Sequence, residues 1–103
     1  MFMYLFTEVM ETETNDVLFI VFTPNDVTMI HEILTMSKEA IDSLTYQNDN
    51  SNFVSPPPHV LTKLHILKAW NAYLLETNTL KIVDWNDKAL VNVITFDKFR
   101  ALI

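Results

Sequence analysis

The chain has 103 residues, half of them apolar, and a formal net charge of −6, which together predict one domain with a single hydrophobic core. It contains no cysteine and no glycine, so disulfides, thiol chemistry, glycine-rich phosphate loops and the G-x-S-x-G nucleophile elbow are excluded. The lack of cysteine fits a reducing cytosol. The sequence shows neither the pattern of a signal peptide nor an apolar run long enough for a membrane helix, so we expect a cytoplasmic protein without a membrane segment.

The first two predicted elements form an antiparallel β-hairpin. Residues 2–10 carry apolar side chains on both alternating faces, residues 11–16 are a polar turn, and Val17 to Phe22 are apolar, with β-branched and aromatic residues. Because both faces of this hairpin are apolar, we expect helices or a second copy of the chain to cover them. A homodimer formed through the two-faced hairpin is therefore one hypothesis.

Two helices are predicted in the middle of the chain. The first is long and amphipathic and runs from Pro24 to about Tyr46, with Thr23 as its cap. A polar and proline-rich loop follows at residues 47–58, and its last proline is expected to open a second, buried helix over His59 to Glu76. Since the chain lacks glycine, we expect asparagine and aspartate to occupy the left-handed turn positions.

A second hairpin and a short helix are predicted to end the chain. Leu80 to Trp85 and Ala89 to Ile94 have the composition of strands, and Thr95 is expected to cap the final helix. The sequence thus predicts a small single α+β domain over residues 1–103. Its elements are an N-terminal antiparallel β-hairpin, a long amphipathic helix, a second buried helix, a C-terminal β-hairpin and a short terminal helix. An alternative description of this order is a ββα-α-ββα two-layer sandwich.

Charge is distributed unevenly along the sequence. Residues 1–50 hold nine acids and one base, a net charge of −8, whereas residues 51–103 hold four acids and six bases, a net charge of +2. An acidic surface of this strength would attract a basic surface on another protein, although it would equally keep the protein solvated. The predicted partner-binding residues lie around the first turn and along the first helix: Glu8, Glu11, Glu13, Asp16, Glu32, Glu39 and Asp42.

The histidines do not predict a metal site. His31 opens a helix segment like that of zinc proteases, but Thr35 stands where the second histidine ligand would be. His59 and His65 are six residues apart, which places them on different faces of a helix. We therefore predict no metal and no cofactor, and assign the three histidines structural or surface roles.

Three aspartates in the C-terminal part are the remaining candidates for chemistry. Asp84, Asp87 and Asp97 would meet at one end of the predicted hairpin, where paired carboxylates could act as acid and base. Turn formation and helix capping explain the same residues without catalysis. We therefore predict that the protein is not an enzyme, and keep an active site at these aspartates as the competing hypothesis.

The leading hypothesis is a small acidic protein-binding module. Low glycine content, asparagine-rich turns and skewed charge are typical of phage or mobile-element inhibitors, which would dock an acidic face on a basic surface of a host protein. The alternative is a structural or assembly subunit that self-associates through the two-faced hairpin. Direct binding of nucleic acid is disfavoured because the negative charge of the chain repels phosphate.

Overall fold

The computed structural model of the chain describes residues 4–22 and 26–103, and of residues 20–22 and 26–30 it describes the backbone alone. Helices dominate, and one two-strand antiparallel sheet accompanies them, in agreement with the predicted small α+β protein. In chain order the elements are a π-helix at Leu5–Val9, α1 at Val17–Phe22, α2 at Asp26–Thr35, α3 at Lys38–Asp42, β1 at Tyr46–Gln47, β2 at Phe53–Val54, α4 at Pro58–Thr77 and α5 at Val93–Arg100.

The chain forms two compact units. The first, unit 1, contains Met1–Thr14 and Ala69–Ile103, and the second, unit 2, contains Asn15–Lys68. The division therefore falls inside α4, whose first half belongs to unit 2 and whose second half belongs to unit 1. No helix within the described ranges combines the length and the apolar character that crossing a membrane requires.

The core of unit 1 is rich in aromatic side chains. Trp70 of α4 is fully buried, and its ring centroid lies 4.8 Å from that of Phe96 and 5.6 Å from that of Trp85. Leu5 and Phe6 of the π-helix are also buried. Such aromatic contacts add stabilisation beyond that of the buried area, so Trp70 is the central packing residue of this unit.

The predicted N-terminal hairpin is wrong, because Leu5–Val9 and Val17–Phe22 are helical; residues 2 and 3 of its first strand lie outside the described residues. In the structure, the buried residues of the first segment are Leu5, Phe6, Val9 and Met10, whose spacing follows a helical and not an alternating period. The second predicted strand is α1, and Asp16 caps it by accepting the backbone N–H of Leu18 at 3.0 Å. Short runs that are apolar on all sides fit a buried helix as well as a strand.

The predicted long helix is divided into α2 and α3. Ser37 has extended backbone angles, φ −68° and ψ 164°, and its hydroxyl accepts the N–H of Ala40 at 3.1 Å. A serine that caps a new helix in this way ends the preceding one. The first residues of the predicted helix, Thr23 and Pro24, lie outside the described residues, and helical structure ends at Asp42, short of Tyr46.

The predicted loop at residues 47–58 contains part of a small hairpin. Tyr46 pairs with Val54 and Gln47 pairs with Phe53. In the connecting turn, the Asn48 side chain accepts the backbone N–H groups of Asn50 and Asn52, both at 3.0 Å. The asparagine-rich composition of this segment is therefore explained by turn formation.

The second predicted helix is confirmed. It is α4, it begins at the last proline of the run, Pro58, and it ends one residue after the predicted end. Its fully buried residues follow one helical stripe, with spacings of four, three, three and four residues. They are Val60, Leu64, Leu67, Trp70 and Leu74.

The predicted C-terminal hairpin is wrong, because residues 80–92 form turns without strand pairing. The side chains of two aspartates stabilise these turns. The Asp84 carboxylate accepts the backbone N–H of Asn86 at 3.0 Å, and the Asp87 carboxylate accepts that of Ala89 at 2.9 Å. Side chains that bind the backbone two residues further on replace the strand ladder. The final helix is present as α5, but Asn92 is its cap and not Thr95.

The left-handed positions also differ from the prediction. Among the described residues, positive φ angles occur at Glu11, Ser51 and Thr79, and not at asparagine or aspartate. The aspartates and asparagines instead stabilise the neighbouring turns by accepting backbone N–H groups. Because the chain contains no glycine, each of these three left-handed positions is occupied by a residue with a Cβ, which strains the backbone there.

Candidate functional site

Three of the predicted partner-binding residues lie in unit 1. Glu8 is in the π-helix, and Glu11 and Glu13 follow it in the segment that leads to Thr14. All three side chains are exposed. Within the described part of the chain, no lysine or arginine forms an ion pair with any of them. Their charges are therefore directed to solvent and are not neutralised by a neighbouring base.

The other four predicted residues lie in unit 2. Glu32 in α2 and Glu39 in α3 are exposed and, among the described residues, have no ion-pair partner. Asp42, the last residue of α3, is exposed but contacts a histidine, and Asp16 is partly buried at the start of α1. The seven residues are thus divided between the units, three in one and four in the other, so the prediction of one common acidic face stays a prediction.

Asp16 is held by two elements of unit 2. Nε2 of His59, at the start of α4, lies 2.9 Å from Oδ2 and 3.2 Å from Oδ1 of Asp16. Partial burial of the carboxylate raises its pKa, but the hydrogen bond from the Leu18 N–H, the hydrogen bond and charge of His59, and the charge of Lys63 outweigh this effect and lower the pKa below its ordinary value of 3.8. Asp16 therefore acts as a helix cap and a charge partner within the fold, which makes it less available to a partner protein.

Two further side chains of α4 contact other helices of unit 2. Nε2 of His65 lies 2.7 Å from Oδ1 of Asp42, and Nζ of Lys68 donates to the carbonyl oxygen of Leu34 at 3.0 Å. These long-range pairs agree with the structural role predicted for His65, but the sequence did not identify its partner. Residues 23 positions apart along the chain leave no local pattern that could reveal such a contact.

The units differ from the sequence halves in their charge. Unit 1 contains seven acids and four bases, and unit 2 contains six acids and three bases, so each unit carries a net charge of −3. The contrast between a strongly acidic first half and a weakly basic second half is a property of the linear sequence. Folding places residues 1–14 with residues 69–103, which hold four acids and four bases, whereas Lys63 and Lys68 belong to unit 2; both units are therefore moderately acidic.

Four residues considered for metal binding or catalysis are exposed: His31, Asp84, Asp87 and Asp97. Asp84 and Asp87 are exposed and accept backbone N–H groups in turns, and Asp97 is exposed on α5. His31 is exposed on α2. Over the described ranges, no group of three or more histidine, cysteine, aspartate or glutamate residues is arranged to hold a metal ion. The local hydrogen bonds of the turn aspartates account for their presence without a catalytic role.

Most of the exposed large apolar side chains among the described residues lie in the C-terminal segment, and the sequence did not predict their exposure. Among the described residues, seven large apolar side chains are exposed, and six of them lie between residues 80 and 103. The predicted C-terminal hairpin assigned several of these residues to a strand, where alternate positions would be buried. The six residues are Leu80, Ile82, Val93, Ile94, Leu102 and Ile103.

Comparison with known proteins identified no relative of this chain. Models of protein families, curated proteins and solved structures were each compared with the chain, and none of the three comparisons gave a match.

Proposed function

We propose that the protein acts by binding another protein through its exposed carboxylates, and that it catalyses no reaction. The observation that carries this proposal is the state of five glutamates, which are exposed and, in the described part of the chain, have no lysine or arginine partner. In its most specific form, the protein is a phage or mobile-element inhibitor that covers a basic surface of a host protein in the cytoplasm. The five residues are Glu8, Glu11, Glu13, Glu32 and Glu39.

Unpaired surface carboxylates favour association with a basic partner for an electrostatic reason. A carboxylate that is already paired with a lysine has a weak field at a distance, whereas an unpaired one attracts cations over about 8 Å at physiological ionic strength. Complementary potentials of this kind raise association rates about 10- to 1,000-fold. Because each unit carries a net charge of −3, the attraction would be exerted by both units and not by the N-terminal half alone.

The proposal is tested by charge reversal in each unit separately. One variant carries Glu11→Lys and Glu13→Lys in unit 1, and the other carries Glu32→Lys and Glu39→Lys in unit 2. All four side chains are exposed, so both variants should fold. Proteins captured from a cell extract by the tagged full chain are then identified and quantified at low and at raised salt concentration. We expect at least one variant to lose about tenfold or more of the captured partner and of its salt dependence.

A matched control separates local contacts from total charge. Glu76→Lys combined with Asp97→Lys produces the same change in net charge at two exposed acids outside the predicted set. This control should capture the partner as well as the unchanged protein does. If all three variants capture the same proteins with the same salt dependence, the proposed acidic binding surface is wrong.

The second candidate function is a structural or assembly subunit that self-associates. The two-faced hairpin on which this hypothesis was based is not present in residues 4–22. The exposed apolar side chains of residues 80–103 now support it instead, because a second copy that covers them would remove their apolar surface from water. Ile82 and Ile94 are exposed to 70% and 69%, which makes them the residues to change first.

Light scattering across a dilution series tests self-association. The unchanged chain should pass from a monomer at micromolar concentration to a larger species at millimolar concentration, and the variant Ile82→Ser with Ile94→Ser should remain monomeric. Phe53→Ser is the control, because Phe53 is an equally exposed apolar residue in the other unit. A strict monomer at all concentrations would exclude this second candidate and leave the first unaffected.

A further inference from the structure

A pocket of about 260 Å³ lies within unit 1, between the end of α4 and the start of α5. Its lining includes Leu74, which is buried, Leu90, and Tyr73, whose ring centroid lies 5.5 Å from that of Phe99. Sites for drug-sized ligands measure roughly 300–1,000 Å³. The volume therefore suits a smaller molecule that has one apolar group.

The charge of the pocket is opposite to that of the unit that contains it. Unit 1 has a net charge of −3, but the residues that line the pocket include one cation, Lys98, and no carboxylate. Lys98 follows Thr95 by three residues on α5, so both side chains lie on the same side of the helix. Among the described residues, no carboxylate pairs with the Lys98 ammonium, which leaves it available to an anion.

The end of α4 would ordinarily oppose an anion, because the last carbonyl groups of a helix carry partial negative charge. Near this end of α4, the carbonyl oxygens of Tyr73 and Leu74 accept hydrogen bonds from side chains. The Thr77 hydroxyl donates to the Tyr73 carbonyl at 2.8 Å, and Asn78 donates to the Leu74 carbonyl through its backbone N–H at 3.1 Å and its side-chain amide at 3.2 Å. Their repulsion of a bound anion is correspondingly reduced.

We propose that this pocket binds a small monocarboxylate that carries an apolar group, with Lys98 as its charged partner and the wall of Leu74, Leu90 and Tyr73 around the apolar group. The apolar wall selects against inorganic anions, and the ammonium selects against neutral molecules of the same shape. This inference is independent of the proposed protein-binding function, since it uses none of the five glutamates.

Two-dimensional ¹H–¹⁵N NMR of the full chain tests the proposal with benzoate as the probe. A millimolar titration should shift the amide signals of the lining residues and reach saturation, which corresponds to a dissociation constant of about 1 mM. Benzamide, the neutral molecule of the same shape, should bind about fivefold more weakly. Lys98→Gln should weaken benzoate binding by a similar factor, because it removes the charged partner.

Two further variants complete the test. Lys81→Gln changes the net charge equally at an exposed lysine outside the lining and should bind benzoate as the unchanged chain does. Ala89→Leu enlarges an exposed residue of the lining, so it should remove binding while the spectrum stays dispersed. Shifts that do not saturate, that lie outside the pocket, or that persist equally in Lys98→Gln overturn the proposal.

Discussion

Replacement of Thr79 by glycine should stabilise the protein. Thr79 follows the end of α4 with a φ of 53°, and this left-handed conformation costs a residue with a Cβ about 1–2 kcal/mol. Glycine removes that strain, but it also raises the conformational entropy of the unfolded chain, which offsets about 0.4–1 kcal/mol of the gain. Thr79 is exposed and its hydroxyl donates to the adjacent Asn78 carbonyl at 2.7 Å, its one side-chain hydrogen bond among the described residues, so little else is lost.

The expected net effect is an increase of about 0.5–1 kcal/mol in the free energy of unfolding. For a chain of this size, 1 kcal/mol corresponds to about 4–8 °C in the melting temperature. Thermal unfolding followed by circular dichroism should therefore show Tm rising by about 2–8 °C in Thr79→Gly. Thr79→Ala keeps the Cβ and should not reproduce the increase.

Substitution by glycine two residues earlier, at Thr77, should have the opposite effect on stability. Thr77 is the last residue of α4 and its hydroxyl donates to the Tyr73 carbonyl. Thr77→Gly should lower the free energy of unfolding, by about 0.3 kcal/mol or more from helix propensity alone, because glycine is about 1 kcal/mol and threonine up to about 0.7 kcal/mol less favourable in a helix than alanine. If Thr79→Gly lowers Tm as Thr77→Gly does, the left-handed turn at Thr79 is not formed in solution and the reasoning is refuted.

Three further substitutions test the fold. The folded structure lowers the pKa of Asp16 below 3.8, so its carboxylate stabilises the protein fully above that pH. The stabilisation is lost as pH falls through the folded-state pKa. Asp16→Asn should accordingly make acid unfolding less steep below about pH 4. Asn92→Ala removes the three hydrogen bonds of the Asn92 side chain, one of which is the α5 cap. Thermal unfolding should show a free energy of unfolding lower by about 1–2 kcal/mol. The control Asn86→Ala, at an exposed asparagine, should change it little. Trp70→Ala should cost about 3–5 kcal/mol in urea unfolding. Trp70→Phe should cost less, because the buried indole N–H has no hydrogen-bond partner among the described residues. Equal losses would contradict the packing role of the ring.

The errors at the N-terminus have one physical cause. Residues that are apolar on every side carry no preference for a two-residue or a 3.6-residue period, and β-branched composition is a weak guide because tertiary packing overrides it. A cap is a better signal, since it depends on a specific side chain and a fixed spacing. Asp16 before α1, Ser37 before α3 and Asn92 before α5 each mark a helix start that composition alone did not identify.

The binding surface was harder to predict than the helices, because the net charge of a stretch of sequence does not say which acidic residues lie in the same unit of the fold. The first 50 residues are strongly acidic, but Glu8, Glu11 and Glu13 fold with residues 69–103, whose four acids and four bases balance, whereas Glu32 and Glu39 belong to the other unit. Linear order does not reveal which residues share a surface. The acidic residues could be named from the sequence, but their grouping depends on the fold.

By itself, the sequence determined the mixed helix and strand composition, the buried helix α4 with its start at Pro58, and the exclusion of thiol chemistry and glycine-rich phosphate loops. These features depend on residue type and on a long helical period, both of which are local. The tertiary structure alone decided that His59 and His65 pair with distant aspartates, that residues 1–14 share a unit with residues 69–103, and that a pocket lined in part by Lys98 lies at the start of α5. Contacts between residues far apart in the chain decide these features, and no local pattern encodes them.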